Sequence, residues 1–367
     1  MRRRAAMLAV AAALCLLTGC AGLLHARELQ ELQSVQTLGF DGEPGAVILS
    51  ASDPGDGAEA PPVRLTARGP GVQAAAEALQ TLAPREELFF AHVRFVLLGE
   101  AAARAGMGEV LDWFQRGTQT RLGLPVFVLR GGEARSQVDP PAEAEAEDVS
   151  ARLAALVRQG ELRGEIRCFT LLDMARGLAR SGAALCCALE SPGEGGELRA
   201  AGYAVIRNAS LAGWLDQRES RGASLLLEQA GELCRELPDE QGGAVTVTLR
   251  SAEVRLVPRQ ADGGPFLDVV LSARAGVAGM TQPGPLSPEL LAALEAHLAG
   301  DLRSAAEAAL AASRRLDADF LELGRRFPRE AAFSLSGLRW TVRAEAEIER
   351  SYDIDGGPAL RGEGAAG

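Results

Sequence analysis

Cys20 is the residue whose type and setting specify a chemical reaction most directly. It closes the segment Leu17-Thr18-Gly19-Cys20, which follows arginines at positions 2–4 and an apolar run over 5–17. A basic start, a short apolar segment and small residues before a cleavage point are typical of a secretory signal peptide. A cysteine directly after them is typical of a bacterial lipobox, in which the thiol accepts a diacylglyceryl group. The pattern predicts a lipoprotein signal peptide over 1–19 and lipidation of Cys20; an ordinary secretory signal with a coincidental cysteine is the alternative.

This leader predicts attachment to a membrane surface. Its apolar run is shorter than the roughly 20 residues that a transmembrane helix needs. No second apolar run in the sequence reaches that length. Because two acyl chains hold a protein on a bilayer firmly whereas one binds only marginally, a diacylglyceryl group on Cys20 predicts a lasting anchor.

The other nucleophiles and metal ligands form no recognisable catalytic or metal-binding motif. Histidines occur only at positions 25, 92 and 297, and no Gly-x-Ser-x-Gly sequence is present, so serine hydrolysis is unsupported. The later cysteines have neither Cys-x-x-Cys spacing nor a nearby histidine, so we expect no metal and no cofactor. They are interpreted as buried thiols, with a disulfide as the open alternative in an exported chain. These cysteines are Cys168, Cys186, Cys187 and Cys234.

Composition excludes one large class of partner. The chain has 49 acidic residues against 38 arginines and lysines, a net charge of −11, and no basic cluster. Nucleic-acid binding needs a basic patch, so we expect no nucleic-acid partner. The abundant carboxylates leave open a glycosidase-type pair, although no pair stands out.

Periodicity predicts an α/β layer in the first half of the chain. Alternating or continuous apolar segments predict strands, and Ala-rich segments with apolar residues three and four apart predict helices. A βαβαβ order of this kind predicts helices packed on a partly parallel sheet. The predicted strands cover 34–41, 46–50, 63–67, 88–99 and 124–129, and the predicted helices 27–33, 71–82, 100–116, 149–158 and 170–180.

His92 and Arg94 lie two apart in the strand predicted over 88–99. Side chains two apart in a strand point to the same face, so these two are candidates for a partner contact. The alternative is that both are hydrogen-bonded under a neighbouring helix, as buried polar groups usually are. Thr170 is predicted to cap the helix after it, with Asp173 three residues on.

The Gly-rich segment 191–196 predicts a domain boundary. It divides an N-terminal α/β domain, 20–190, from a C-terminal α+β domain, 197–355, in which 197–240 is an alternative separate middle domain. The second half predicts a ββαβ order with an antiparallel sheet packed on one long helix. That helix begins at Ser287-Pro288, with serine as its cap and proline at its first position, and extends as far as residue 326. The predicted elements are strands over 198–207, 245–257, 266–274 and 340–349 and helices over 219–236 and 287–326, with a disordered tail over 356–367.

Four segments in this order resemble the Ger(x)C family, the lipoprotein C subunits of spore germinant receptors. The first is the lipobox followed by Arg27-Glu28-Leu29 and Leu38-Gly39-Phe40-Asp41. The second is 88–100, which is similar to a family segment with the pattern His-x-Arg and a final Gly-Glu. The third runs from Gly202-Tyr203 through Trp214 to Glu219-Ser220-Arg221-Gly222, where the family has Glu-Thr-Arg-Gly. The fourth is Ala318-Asp319 to Gly324.

The resemblance implies a non-enzymatic subunit on the outer face of the spore inner membrane. It implies assembly with an A subunit and a transporter-like B subunit, which the germination response to nutrients requires. The segment 21–26 departs from the family, which has Trp-Asp directly after the lipidated cysteine. The candidate family-motif or partner-contact residues are His92, Arg94, Trp214, Glu219, Arg221, Gly222, Asp319 and Gly324.

Two motif residues have a structural alternative. Glu219 and Arg221 are interpreted either as a docking surface or as a local ion pair that closes a turn, with Gly222 providing a positive φ. The alternative function, from another class, is a lipid-anchored hydrolase of the spore cortex, which needs a cleft with close carboxylates, one of raised pKa. A solute-binding lipoprotein would need two similar lobes, which the unequal halves do not provide.

Overall fold

The computed structural model describes most of the chain after residue 31. The signal peptide, Cys20 and the tail predicted over 356–367 lie outside the described residues, as does most of the helix predicted over 27–33. Residues 32–34 of that region form a strand. The described ranges are 32–55, 62–83, 87–141, 148–163, 167–191, 197–228, 233–238, 243–261, 264–281, 286–328 and 333–349.

An eight-stranded mixed sheet forms the centre of the molecule. The strands that precede residue 228 are β1 (Leu32–Ser34), β2 (Thr37–Glu43), β3 (Ala46–Asp53), β4 (Val63–Gly69), β5 (Glu87–Phe89), β6 (Phe95–Gly99), β7 (Val126–Arg130), β8 (Ala183–Glu190), β9 (Arg199–Arg207) and β10 (Ser210–Leu215). The order across the sheet is β10-β9-β8-β7-β6-β2-β3-β4, and β1 pairs with β5 outside it. The central strands β2, β6, β7 and β8 are parallel, and antiparallel strands flank them on both sides.

Helices cover both faces of this sheet. They are α1 (Val72–Gln80), α2 (Glu100–Ala105), α3 (Gly108–Arg116), α4 (Arg135–Val138), α5 (Val149–Arg163), α6 (Leu171–Ser181), α7 (Gln217–Leu226) and α8 (Pro288–Arg315). In β6, Val96 and Leu98 point into a core with α1, α2, α3 and α6. Phe95 and Leu97 point into a second core with α4, α5, α7 and α8. All five residues of β6 are buried, as expected for a parallel strand covered on both faces.

The prediction of one continuous strand over 88–99 was wrong for the middle of this run. The run divides into β5, a 3-10 turn over Phe90–His92, and β6. The turn is closed by the amide of Val93 on the carbonyl of Phe90, and the amides of Arg94 and Phe95 both bond to the carbonyl of Gln36. His92 and Arg94 therefore do not share a strand face.

Two predicted helices were also too long. The helix over 100–116 is broken at Gly106, whose φ of 132° no helix accommodates, so it becomes α2 and α3. The helix over 219–236 ends at Leu226, and Leu233–Pro238 forms strand β11 instead. Tertiary pairing decides the second case, because β11 forms six residue pairs with the long strand beside it.

The second sheet is four-stranded, in the order β11-β12-β13-β14. The remaining strands are β12 (Ala244–Ala261), β13 (Gly264–Met280) and β14 (Arg339–Glu349). The β12–β13 hairpin is antiparallel, as predicted, whereas β14 runs parallel to β13. Because α8 lies between β13 and β14 in sequence, the chain crosses over before it returns to the sheet. In β14, Val342 and Ile348 are buried while Arg343 and Glu345 are exposed, so the predicted alternation is confirmed.

The start of the long helix is confirmed and its end was placed too late. Ser287 caps α8 by accepting a hydrogen bond from the amide of Leu290, and Pro288 occupies the first turn. The helix passes Gly300 without interruption and ends at Arg315. Asp317 then takes a left-handed φ of 48°, and a separate 3-10 turn covers Leu323–Arg326.

The segment 191–196 joins two strands of one sheet. β8 and β9 pair in antiparallel register from Ala183 with Arg207 to Glu190 with Arg199. One core also continues from this sheet through α7 and α8 to the four-stranded sheet. The division into 20–190 and 197–355 stays a prediction about folding units, but the hydrogen-bonded sheet is not divided there.

Candidate functional site

His92 and Arg94 lie at the amino end of the parallel strands, where β2, β6 and β7 begin. His92 Nδ1 shares a hydrogen bond of 3.3 Å with the hydroxyl of Ser34, and its ring meets Phe89 edge-on. Arg94 is exposed and donates to Gln36 Oε1 at 3.4 Å, with its guanidinium 5.3 Å from the Phe95 ring centre. Neither side chain lies beneath a helix, so both remain available to a partner.

Asp41 closes the opposite, carboxyl end of these strands. Its two carboxylate oxygens accept the amides of Ala134 and Arg135, each at 2.7 Å. Burial raises the pKa of this carboxyl to about 6. Gly99 faces it from β6, and a Cβ at Gly99 would collide with Asp41 Oδ1. The motif that ends in Asp41 therefore fastens the segment after β7 to the sheet.

The Trp214 segment is an edge strand that leads into a capped helix. Trp214 lies in β10, and the guanidinium of Arg130 lies 5.5 Å from its ring centre. Asp216 and Glu219 form a capping box at the start of α7, since each side chain accepts the backbone amide of the other. This capping role was not predicted, although Asp followed three residues later by Glu is its signature.

Glu219 and Arg221 do not pair with each other. Glu219 accepts a hydrogen bond of 2.8 Å from Arg315 at the end of α8. Gly222 does not have a positive φ, so that expectation was wrong. A Cβ at Gly222 would collide with the carbonyl oxygen of Ala305, which shows that glycine is needed for the close contact of α7 with α8. Arg221 is half-buried, and its Nε has no hydrogen-bond partner among the described residues.

Hydroxyl groups beside this helix join it to β9. Ser220, at the position where the family has threonine, accepts the amide of Tyr203 at 3.1 Å. The Tyr203 hydroxyl lies 2.7 Å from Ser224 Oγ and accepts the amide of Arg167. Threonine carries the same hydroxyl group and could accept the same amide. None of these serines has a histidine beside it in the described structure.

Asp319 and Gly324 build the turn after α8. Asp319 accepts the amides of Leu323 at 2.7 Å and Gly324 at 2.8 Å, and burial raises its pKa. A Cβ at Gly324 would press on the ring of Phe333 and on Asp319 Oδ2. The third motif segment contacts the end of α8, directly before the fourth, because Gly213 packs on Leu316 and Glu219 bonds to Arg315.

Neither of two pockets lined by described residues contains an assembled catalytic pair. One, of about 250 Å³, is lined by Phe127, Leu156 and Cys187 among others. The other, of about 170 Å³, contains Asp41 and Glu109. Both carboxylates hold backbone amides, since Glu109 accepts the amide of Val72 at 2.6 Å. Both pockets are smaller than the roughly 300–1,000 Å³ typical of ligand sites.

The cysteines in the described structure are free thiols. Cys186 and Cys187 are buried in β8, Cys168 is half-buried and Cys234 is exposed. Burial raises the pKa of Cys186 to about 12, which makes its thiol unreactive. No group of three or more potential metal ligands occurs in the described ranges.

The family comparisons cover most of the chain. Residues 25–190 match the spore germination protein N-terminal domain, and residues 201–355 match the C-terminal domain described as spore germination B3/GerAC-like. The chain therefore belongs to the Ger(x)C family of spore germination proteins, to which the C subunits of germinant receptors belong. This is not a known enzyme family.

A solved structure has the same fold. The crystal structure of the GerBC protein is 15% identical to this chain, covers 85% of it and 96% of its own length, and gives a TM-score of 0.52. The predicted fold class, an N-terminal α/β layer with a C-terminal sheet on a long helix, is confirmed. Among curated protein sequences, none matches this chain significantly.

Proposed function

We propose that this protein is the lipid-anchored C subunit of a spore nutrient germinant receptor. It would be held at the outer face of the spore inner membrane by a diacylglyceryl group on Cys20. There it would assemble with the membrane A and B subunits, and the germination response would require the assembled complex. The observation that carries the proposal is the family match over 25–190 and 201–355 directly behind a lipobox.

The mechanism is one of effective concentration. A lipid anchor confines the domains to the membrane surface, so that encounters with membrane subunits become nearly intramolecular. None of the helices in the described ranges is both long and apolar enough to span a bilayer. We assign membrane attachment to the lipid anchor proposed at Cys20.

The structure also bears on the alternative function, a hydrolase of the spore cortex. That function needs a carboxyl group of raised pKa beside a second carboxylate in a cleft. Burial raises the pKa of Asp41 and of Asp319, but both carboxylate oxygens of each residue accept backbone amides. No observation favours this alternative over the receptor subunit.

The test compares the two leader cysteines. Cys20→Ala should abolish incorporation of an alkyne-labelled fatty acid and move the protein out of the spore membrane fraction. It should also impair release of dipicolinate in response to at least one nutrient. Cys15→Ala is the matched control, because it lies in the apolar part of the signal peptide, and it should leave labelling and germination intact.

A gene deletion and a copurification experiment test the proposed role as a receptor subunit. In a strain without redundant receptors, deletion of the gene should remove the response to a nutrient, and a tagged chain should copurify with the A and B subunits. Normal germination of the deletion strain with every nutrient would falsify the proposal. Turnover of purified peptidoglycan by the chain would support the hydrolase instead.

A further inference from the structure

The described chain enters the fold at one end of the central sheet. Its first strand, β1, begins at Leu32 and pairs in parallel with β5, with Leu32 opposite Glu87. The C-terminal end of α1 lies beside β5, because the amide of Leu88 bonds to Gln80 Oε1 at 2.9 Å. Leu32 follows Cys20 by twelve positions, with eleven residues between them. At roughly 3.3–3.6 Å per residue, a tether of this length keeps Leu32 within about 40 Å of the lipid.

Exposed apolar and cationic side chains cluster at this end. Leu82, just past the end of α1, is 50% exposed, and it is one of two large apolar residues found exposed in the described structure. Arg94 precedes β6, and Arg121 precedes β7 and donates to the carbonyl of Val93 at 3.2 Å. We call Leu82, Arg94 and Arg121 the amino-end surface.

The charge of this surface contrasts with that of the whole protein. The chain has a net charge of −11. Arg94 bonds to the neutral Gln36 and Arg121 to a backbone carbonyl, and neither pairs with a carboxylate in the described ranges. Two acidic groups lie near this end and are bonded to other partners: Glu87 accepts a hydrogen bond from Gln119, and Asp148 accepts one from Ser150, which also bonds to Gln36. Two exposed guanidinium groups without carboxylate partners fit a surface of negative phosphates.

We propose that the amino-end surface rests on an anionic lipid bilayer, with Leu82 entering the headgroup boundary and Arg94 and Arg121 contacting lipid phosphates. The inference rests on the proposed function, because the anchor at Cys20 is what brings this end to the membrane. Interfacial binding combines buried apolar area with attraction to anionic lipids, and this surface offers both. The contact would orient the subunit, so that the carboxyl end of the strands and the four-stranded sheet remain free for other subunits.

The test measures insertion at two exposed positions of the tethered chain. Residues 21–367 carry a histidine tag in place of Cys20 and bind vesicles of phosphatidylglycerol and phosphatidylcholine through nickel-chelating lipid. Cys168→Ser and Cys234→Ser remove the accessible thiols, and Leu82→Cys or Val257→Cys provides one site for an environment-sensitive fluorophore. Val257 is the matched control, because it is the other exposed large apolar residue, at 38%, and lies in β12.

A label at position 82 should be quenched by nitroxide-labelled lipid several-fold more strongly than a label at position 257. Arg94→Glu combined with Arg121→Glu should remove most of that quenching. The matched pair Arg255→Glu and Arg343→Glu, two exposed arginines of the four-stranded sheet, should leave it unchanged. Vesicles of phosphatidylcholine without the anionic lipid should give weaker quenching at position 82.

Equal quenching at positions 82 and 257, or no effect of reversing the two arginines, would overturn the inference. Protection of position 82 only after the A and B subunits are added would overturn it as well, in favour of a protein contact. Because the tether is chemical in this experiment, these outcomes do not depend on lipidation. Failure of Cys20 to take up fatty acid would instead count against the proposed function.

Discussion

The two ends of the parallel strands differ in what covers them. At the carboxyl end, Asp41 is buried and binds the amides of Ala134 and Arg135, so that the segment after β7 closes over the sheet. At the amino end, Arg94 and Arg121 are exposed, and within the described ranges both bond to neutral groups alone. Ligands of α/β sheets usually bind at the carboxyl ends of the strands. In this protein Asp41 fastens that end, whereas Arg94 and Arg121, which pair with no carboxylate among the described residues, lie at the other.

The difference separates two kinds of family-motif residue. Asp41, Gly222 and Asp319 hold segments of backbone in place and have no free polar group to offer a partner. His92 and Arg94 belong to a motif as well, yet little in the fold depends on their side chains. Some family-motif residues therefore hold backbone segments of the fold together, and others lie on an accessible surface.

The largest expected effect is the pH dependence that Asp41 contributes. Its pKa is raised from 3.8 to about 6 in the folded protein, so the folded state binds the proton more tightly than the unfolded state does. Stability from this group is present below pH 4 and is lost as the pH rises to 6. At 1.36 kcal/mol per pKa unit, the loss is about 3 kcal/mol. The Asp41→Asn variant has no carboxyl group at this position and should not show this pH-dependent loss of stability.

Chemical denaturation at pH 4 and pH 7 measures the effect. The free energy of unfolding of the wild-type chain should fall by about 2 kcal/mol more than that of Asp41→Asn over this interval, because the unfolded carboxyl is already partly ionised at pH 4. All other carboxyl groups are common to both chains and cancel in the comparison. Parallel pH profiles of the two chains would show that the carboxyl end is not closed by a buried acid.

A pair of glycines tests the two ends against each other. Gly99→Ala places a methyl group against Asp41 Oδ1 at the carboxyl end, and overpacking of this kind costs about 1–3 kcal/mol. Gly123→Ala, just before β7 at the amino end, meets no atom within 4 Å and should change stability by less than about 0.5 kcal/mol. Urea unfolding of both variants measures the two changes in unfolding free energy. Similar losses of stability in the two variants would contradict the contrast between the ends.

The smallest expected effect on stability comes from the amino end. His92→Ala and Arg94→Ala should each change the free energy of unfolding by about 0.5 kcal/mol or less, because both side chains make weak contacts at the surface. The same variants should nevertheless slow nutrient germination if this end contacts a partner or the membrane. Thermal unfolding and dipicolinate release, measured on the same two variants, separate the effects. A large loss of stability would instead show that both side chains are needed to hold the fold together.

Much of the fold followed from local pattern. The caps at Thr170 and Ser287 were predicted because a hydroxyl followed by a helix former satisfies free amides within one turn. The alternation in β14 and the β12–β13 hairpin are also local signals. The errors occurred where distant pairing decides, as in β11, which only the neighbouring β12 makes a strand.

The roles of the site residues were less accessible to sequence reasoning. One of two interpretations placed Gly222 in a turn with positive φ, whereas glycine at this position lets α7 approach Ala305 on α8, more than 80 residues later in the chain. His92 and Arg94 were placed on one strand face because an apolar run of twelve residues reads as continuous. The 3-10 turn that separates them is held by the carbonyls of Phe90 and Gln36, a non-local arrangement.

The sequence by itself determined the family, the two sheet-and-helix layers and the lipobox at Cys20, because each is written in residues that are adjacent or regularly spaced. The tertiary structure decided which motif residues are buried and hold backbone segments together, and which are accessible. That choice depends on pairing between segments far apart in the chain, such as Asp41 with 134–135 and Glu219 with Arg315. Such contacts form only when the whole core is assembled, so no local pattern records them.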